Sequence, residues 1–154
     1  MEYKFIDKTF YEELAPLMHK ISSSHVQMRP DLFSEQHIMT KKEFKKRLKI
    51  KGFFGIAAYK NNVLCGYCLC RNKTFNSKLK SENKAIWIDE FYICEEFRRK
   101  GYGKLLFEEI KRTALDKSCS LIEFDVWSLN ETAIKFYDSL GCTNQRITKE
   151  YLLP

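Results

Sequence analysis

Asp89-Glu-Phe-Tyr-Ile-Cys-Glu-Glu-Phe-Arg-Arg-Lys-Gly-Tyr-Gly-Lys-Leu-Leu106 is the stretch on which the reading of this chain turns. An apolar run from Ala85 to Ile93 enters it as a strand, a basic turn with two glycines follows, and an apolar-periodic helix leaves it. The backbone N–H groups at a helix start have no intrahelical partner, and the helix dipole makes that end partly positive. Such an end suits phosphate. Gly101 and Gly103 remove Cβ atoms where a ligand must approach the backbone. Arg98, Arg99, Lys100 and Lys104 place full charges around the same amides. The spacing is neither that of a dinucleotide fingerprint nor that of a P-loop.

Outward from this turn, the 154 residues are expected to form a single domain, 1–154, with a sizeable core. Hydrophobic residues make up 44% and charged residues 31%, which excludes a disordered chain. No apolar run reaches the ~18 residues of a membrane span, and the N-terminus has no signal-peptide core, so the expected location is cytoplasmic, with no membrane partner. Cys65, Cys68 and Cys70 lack a second pair or histidines at zinc spacing, so no metal is expected; they read as small buried strand residues. The net charge of +7 falls in three clusters: Lys41–Lys51, Lys73–Lys84 and Arg98–Lys104. Only the third sits on a phosphate-shaped backbone. The first two read as solvated faces.

In chain order, Glu2–Asp7 reads as a strand. Thr9 with Glu12 forms a capping-box pattern before a helix that Pro16 kinks or shortens and Ser22-Ser23-Ser24 ends. His25–Phe33 reads as an irregular stretch, and Thr40 as the cap of a very basic helix, Lys41–Ile50. Phe53–Tyr59 and Val63–Arg71 form a hairpin around Asn61-Asn62, and Thr74–Asn83 is a polar connector. After the glycine turn come a helix to about Lys117, a strand Leu121–Trp127, a helix opened by Ser128 or Asn130 and stopped by Gly141, and a last strand or strand pair over Thr143–Leu153.

Two motifs now stand in order. Arg98-x-x-Gly101-x-Gly103 resembles the Arg/Gln-x-x-Gly-x-Gly/Ala signature of the GNAT superfamily of N-acetyltransferases. Asn130-Glu-Thr-Ala133-Ile-Lys-Phe136-Tyr137-Asp-Ser-Leu-Gly141 resembles that family's second pattern, except that Cys142 stands where an aromatic is usual. Ile88–Ile93 and the nearby Trp127 are similar to the branch of diamine and polyamine N-acetyltransferases.

The resemblance implies an α/β fold (α+β, mixed sheet) of order β-α-α-β-β-β-α-β-α-β. Its sheet is mostly antiparallel, flanked by helices, and splayed between the fourth and fifth strands. It also implies acetyl-CoA as cosubstrate and acetyl transfer to a primary amine of a small molecule or peptide. The amine would be polyamine-like, aminoglycoside-like or carried by a protein. The attack would be direct, in a ternary complex. Homodimers are a family habit.

By the same resemblance, Arg98, Arg99, Lys100, Gly101, Gly103 and Lys104 hold the pyrophosphate; Tyr102 packs but offers its backbone amide. Phe91 and Ile93 pair with pantetheine, Asn130 hydrogen-bonds it or caps its helix, and Tyr137 protonates the departing thiolate. Asp89 meets the acceptor amine. Asp89 and Glu90 are strand neighbours, so their side chains are expected on opposite faces, with one in the cleft and Glu90 the second choice. Few basic residues are expected near that pair, which would suit a cationic amine.

Two other classes compete. A basic nucleic-acid-binding module would use the Lys41–Lys51 helix, but no RNA- or DNA-binding signature accompanies it, and no nucleic-acid partner is expected. A non-catalytic acyl-CoA sensor would keep the glycine turn and need neither Asp89 nor Tyr137.

Overall fold

The computed structural model describes residues 1–33, 39–74, 84–151 and 153. The chain forms two compact units, Met1–Phe124 and Asp125–Pro154.

The first unit is a five-stranded sheet in sequence order: β1 (Glu2–Phe5), β2 (Phe53–Lys60), β3 (Val63–Thr74), β4 (Lys84–Ile93) and β5 (Leu121–Glu123). The first four are antiparallel, and β5 joins β4 in parallel, so the sheet is mixed and mostly antiparallel. Among the described residues three α-helices accompany it: α1 (Tyr11–Met28), α2 (Lys41–Leu48) and α3 (Tyr102–Asp116). Strand alternation divides the core. Ala57, Tyr59, Tyr67, Leu69 and Tyr92 bury against Leu14 and Met18 of α1 and Phe44 of α2. The intervening Ile56 lies beside Glu109 and Arg112 of α3, whose Leu106, Ile110 and Ala114 are buried.

Local chemistry explains most boundaries. Asn61 and Asn62 both take positive φ, 50° and 62°, and close the β2–β3 hairpin. Thr40 and Glu43 form a reciprocal capping box on α2. The first helix departs from expectation at both ends. It is entered through a single 3-10 turn, Lys8–Phe10, that holds Thr9 and is capped by Asp7, whose Oδ1 accepts from the Thr9 amide at 2.7 Å, while Phe10 at the start of α1 itself gives no side-chain cap. Its exit lies beyond the three serines, because Ser23 and Ser24 donate to the carbonyls of His19 and Lys20 and so stay in the helix. Pro16 sits inside the helix without shortening it.

The β4–β5 ladder holds only Ala85–Leu121, Ile86–Ile122 and Trp87–Glu123, while β4 runs on to Ile93. The fourth and fifth strands therefore part after Trp87, whereas the family resemblance puts the splay after Ile93. β5 is three residues long rather than reaching Trp127.

The second unit holds α4 (Glu131–Ser139), capped by Asn130 and ended at Gly141. Among the described residues from 143 on there is no strand, which corrects the expected closing strand. Ile147, Tyr151 and Leu153 are exposed there, so the apolar residues that suggested a strand have no sheet face to cover. Most of the connector read at Thr74–Asn83, and Leu152 in the tail, lie outside the described residues.

Candidate active site

The glycine turn is built by two left-handed residues. Arg99 has φ 58° and Gly101 φ 83°. A Cβ on Gly101 would meet nothing within 4 Å, so glycine is required there by conformation rather than by crowding. Gly101 is the N-cap of α3 and supplies no side-chain cap. The first turn-closing bond runs from the Leu105 amide to the Gly101 carbonyl at 3.1 Å. The amides of Tyr102, Gly103 and Lys104 precede it, and the first turn has no acidic side chain to satisfy them. Arg99 and Lys104 are exposed beside these amides.

Other basic residues of the turn hold the loop itself. Arg98 Nε donates to the Ile93 carbonyl at 2.9 Å, and its guanidinium lies 5.3 Å from the centre of the Tyr92 ring. Lys100 Nζ donates to the Glu96 carbonyl at 2.7 Å. Arg98 thus ties the turn to the end of β4. Tyr102 packs edge-on against Phe97, with ring centres 5.2 Å apart, in keeping with a packing role. Phe91 and Ile93 lie half-buried on the part of β4 beyond its ladder with β5.

The carboxylates overturn an expectation. Leu69 pairs with Glu90, but the next residue, Cys70, pairs with Ile88, which leaves Asp89 as an extra residue in β4. This β-bulge breaks the strict alternation of the strand. Asp89 and Glu90 consequently converge on one guanidinium instead of facing apart. Arg47 of α2 lies 3.5 Å from Asp89 Oδ2 and pairs with Glu90 Oε1 at 2.5 Å. Arg71 Nε adds a second contact to Asp89 at 3.2 Å. The Tyr67 hydroxyl donates to Glu90 Oε2 at 2.9 Å. The expectation of few basic residues near the pair also fails, since two arginines meet the two acids.

Four neighbours here were not singled out by sequence: Arg47, Arg71, Tyr67 and His25. Arg47 is one basic residue in a run of seven, Lys41 to Lys51, and nothing local marks it. His25, in the last turn of α1, stacks on Phe33 with ring centres 5.9 Å apart. Burial pushes the His25 imidazole below its ordinary pKa, and the Glu90 charge partly opposes that shift. Burial, then the charge of Glu90 and the hydrogen bond to it, raise the Tyr67 phenol well above its usual range. Tyr67 therefore acts as a donor that fixes Glu90.

In the second unit, Asn130 Oδ1 accepts from the Ala133 amide at 3.1 Å, so the capping half of its expected role is present. Tyr137 is half-buried on α4, its ring 5.1 Å from that of Phe136. The Cys142 amide returns to the Tyr137 carbonyl at 3.1 Å and closes the helix.

Residues 15–142 match the profile described as "Acetyltransferase (GNAT) family". The chain belongs to that family. It is 31% identical over 70 residues to the L-ornithine N5-acetyltransferase NATA1 of Arabidopsis thaliana. That match covers 46% of this chain and only 29% of the relative's length. A crystal structure of a point mutant of the BH1408 protein from Bacillus halodurans superposes with a TM-score of 0.91 at 25% identity, covering 100% of both chains. The same fold occurs in the aminoglycoside N-acetyltransferase AAC(6')-Iy in complex with a CoA-linked acetylneamine bisubstrate analogue, with TM-score 0.71, 16% identity and coverage of 99% of this chain and 97% of that one.

Proposed function

We propose that the chain is an acetyl-CoA-dependent N-acetyltransferase acting on a primary amine, with all 154 residues serving one catalytic domain. The observation that carries this reading is the start of α3: an uncapped, glycine-opened helix N-terminus flanked by Arg99 and Lys104, in the turn that follows the part of β4 running on beyond its ladder with β5. A diphosphate satisfies those amides and interacts favourably with the helix dipole. The free stretch of β4 around Phe91 then offers backbone groups to an extended pantetheine arm, as an added strand would.

Acyl transfer forms a C–N bond and breaks a C–S bond. The attacking amine must be neutral, although an alkylamine with a pKa near ~10 is mostly protonated at neutral pH. Under this reading Asp89 and Glu90 hold the ammonium and take its proton. Nitrogen then attacks the thioester carbonyl. As the tetrahedral intermediate collapses, Tyr137 gives its phenolic proton to the CoA sulfur, and the second proton shed by the nitrogen restores the phenol through solvent. Arg47 and Tyr67 hold the carboxylates in place, so the base is oriented before the amine arrives.

The test is acetyl-CoA titration by calorimetry with the wild type and Gly103→Glu, together with CoA release across an amine panel. The wild type binds, and the variant loses binding because a carboxylate and its bulk fill the anion corner. Equal affinity in both removes the pyrophosphate assignment. Binding without CoA release on any amine would mark a sensor instead.

A further inference from the structure

The clustering of two acids with two guanidiniums carries a consequence for the acceptor, and it rests on the acetyltransferase reading above. Asp89 and Glu90 are each about 15% exposed at the side chain, and Arg47 is 23% exposed. These groups are therefore only partly screened by water, and their charge balance matters. With Arg71 on Asp89, the cluster is two negative against two positive. Among the described residues it has no acidic surplus. Arg47 is also fixed from a third side, its guanidinium lying 5.1 Å from the centre of the Phe53 ring. The half-exposed Arg71 lies over the Trp87 ring at 5.7 Å. Both cations are held by aromatic surfaces as well as by the carboxylates.

A diamine or polyamine entering such a site brings at least two positive charges to a neutral cluster. Its reacting nitrogen competes with Arg47 for the same oxygens, and its second cation meets Arg47 and Arg71 without a counter-ion. An acceptor that joins a primary amine to a carboxylate solves both problems. Its amine takes a place on Asp89 or Glu90, and its carboxylate takes up the guanidinium donors thereby released, in the fork geometry that arginine presents and lysine does not. We infer that Arg47, with Arg71 in support, is a specificity-determining residue that selects an amine carried on an amino-acid-like, carboxylate-bearing molecule and rejects the corresponding polycation.

The experiment uses matched pairs that differ only in the carboxylate: L-ornithine against putrescine, and L-lysine against cadaverine. Acetylation kcat/KM is measured for each with the wild type, Arg47→Gln and Arg47→Lys, and binding of the same amines is followed by calorimetry in the presence of CoA. Thermal melts of each variant check the fold. The wild type should prefer the carboxylate-bearing member by about tenfold or more, a difference of ~1.4 kcal/mol. Arg47→Gln should abolish or invert that ratio, and Arg47→Lys should keep part of it, because charge survives while the fork is lost. A wild type that treats putrescine and ornithine alike, or a ratio unchanged in Arg47→Gln, overturns the inference. If no amine is acetylated but ornithine still binds over putrescine in an Arg47-dependent way, the selectivity stands and the acetyl-transfer reading falls.

Discussion

At the scale of single residues, two side chains give separate readouts. Tyr137 is assigned the late proton donation, so Tyr137→Phe should lower kcat by about 10²-fold, the usual worth of one general acid, with acetyl-CoA affinity nearly unchanged. An unaltered kcat in steady-state assays would leave Tyr137 as a packing residue. His25 gives a second, independent readout. Its pKa in the fold lies below the ordinary 6.5, so the unfolded chain binds its proton more readily. Stability is present above 6.5 and is lost as pH falls through that value and below it. Melting temperatures measured at about pH 7 and about pH 5 should therefore fall further in the wild type than in His25→Gln. Residues of this kind divide sharply in legibility. Gly101 and the cap Asn130 could be read from local spacing, because turns and caps are local events. The role of Arg47 could not, since its partners lie 42 and 43 positions away on another element.

Elements were legible wherever periodicity carried through. The β2–β3 hairpin and the basic helix α2 stand where alternation and caps put them; α3 spans the expected stretch, but Leu105 and Leu115, which belong to its apolar pattern in the sequence, are exposed. The bulge in β4 left no trace in the sequence, because Ile88 to Ile93 reads as ordinary strand and the extra residue shows only against the register of β3. The missing closing strand is the converse case, in which strand-forming residues lack a partner edge. Gly66 shows how tightly β3 and β4 meet just past the bulge. A Cβ there would sit 2.4 Å from the Tyr92 carbonyl oxygen and 2.7 Å from Ile93 Cδ1. Backbone cannot yield as a flexible side chain does. Gly66→Ala should cost about 1–3 kcal/mol in urea unfolding at constant m-value. A loss within error would show that the strand end is looser than this packing.

For the whole molecule, composition bears on association with anions rather than on the fold. A net charge of +7 spread over several clusters attracts any polyanion from a distance. Acetyl-CoA affinity should fall several-fold as salt rises from about 0.05 to about 0.5 M, over which the screening length contracts below ~10 Å. Calorimetric titration at the two salt levels checks this, and a flat response would assign cofactor binding to uncharged contacts. No helix among the described residues is long and apolar enough to cross a membrane.

The bare start of α3 reaches beyond catalysis. A fifteen-residue helix that begins without a cap forgoes stabilisation that ordinary helices draw from their own side chains. The deficit is made good when an anion arrives, so the ligand acts as a missing piece of the fold. If acetyl-CoA binds there as proposed, the lifetime of this protein against heat and proteases is coupled to the supply of its cosubstrate, and starvation for acyl donors would thin the population of the enzyme as well as slow its turnover.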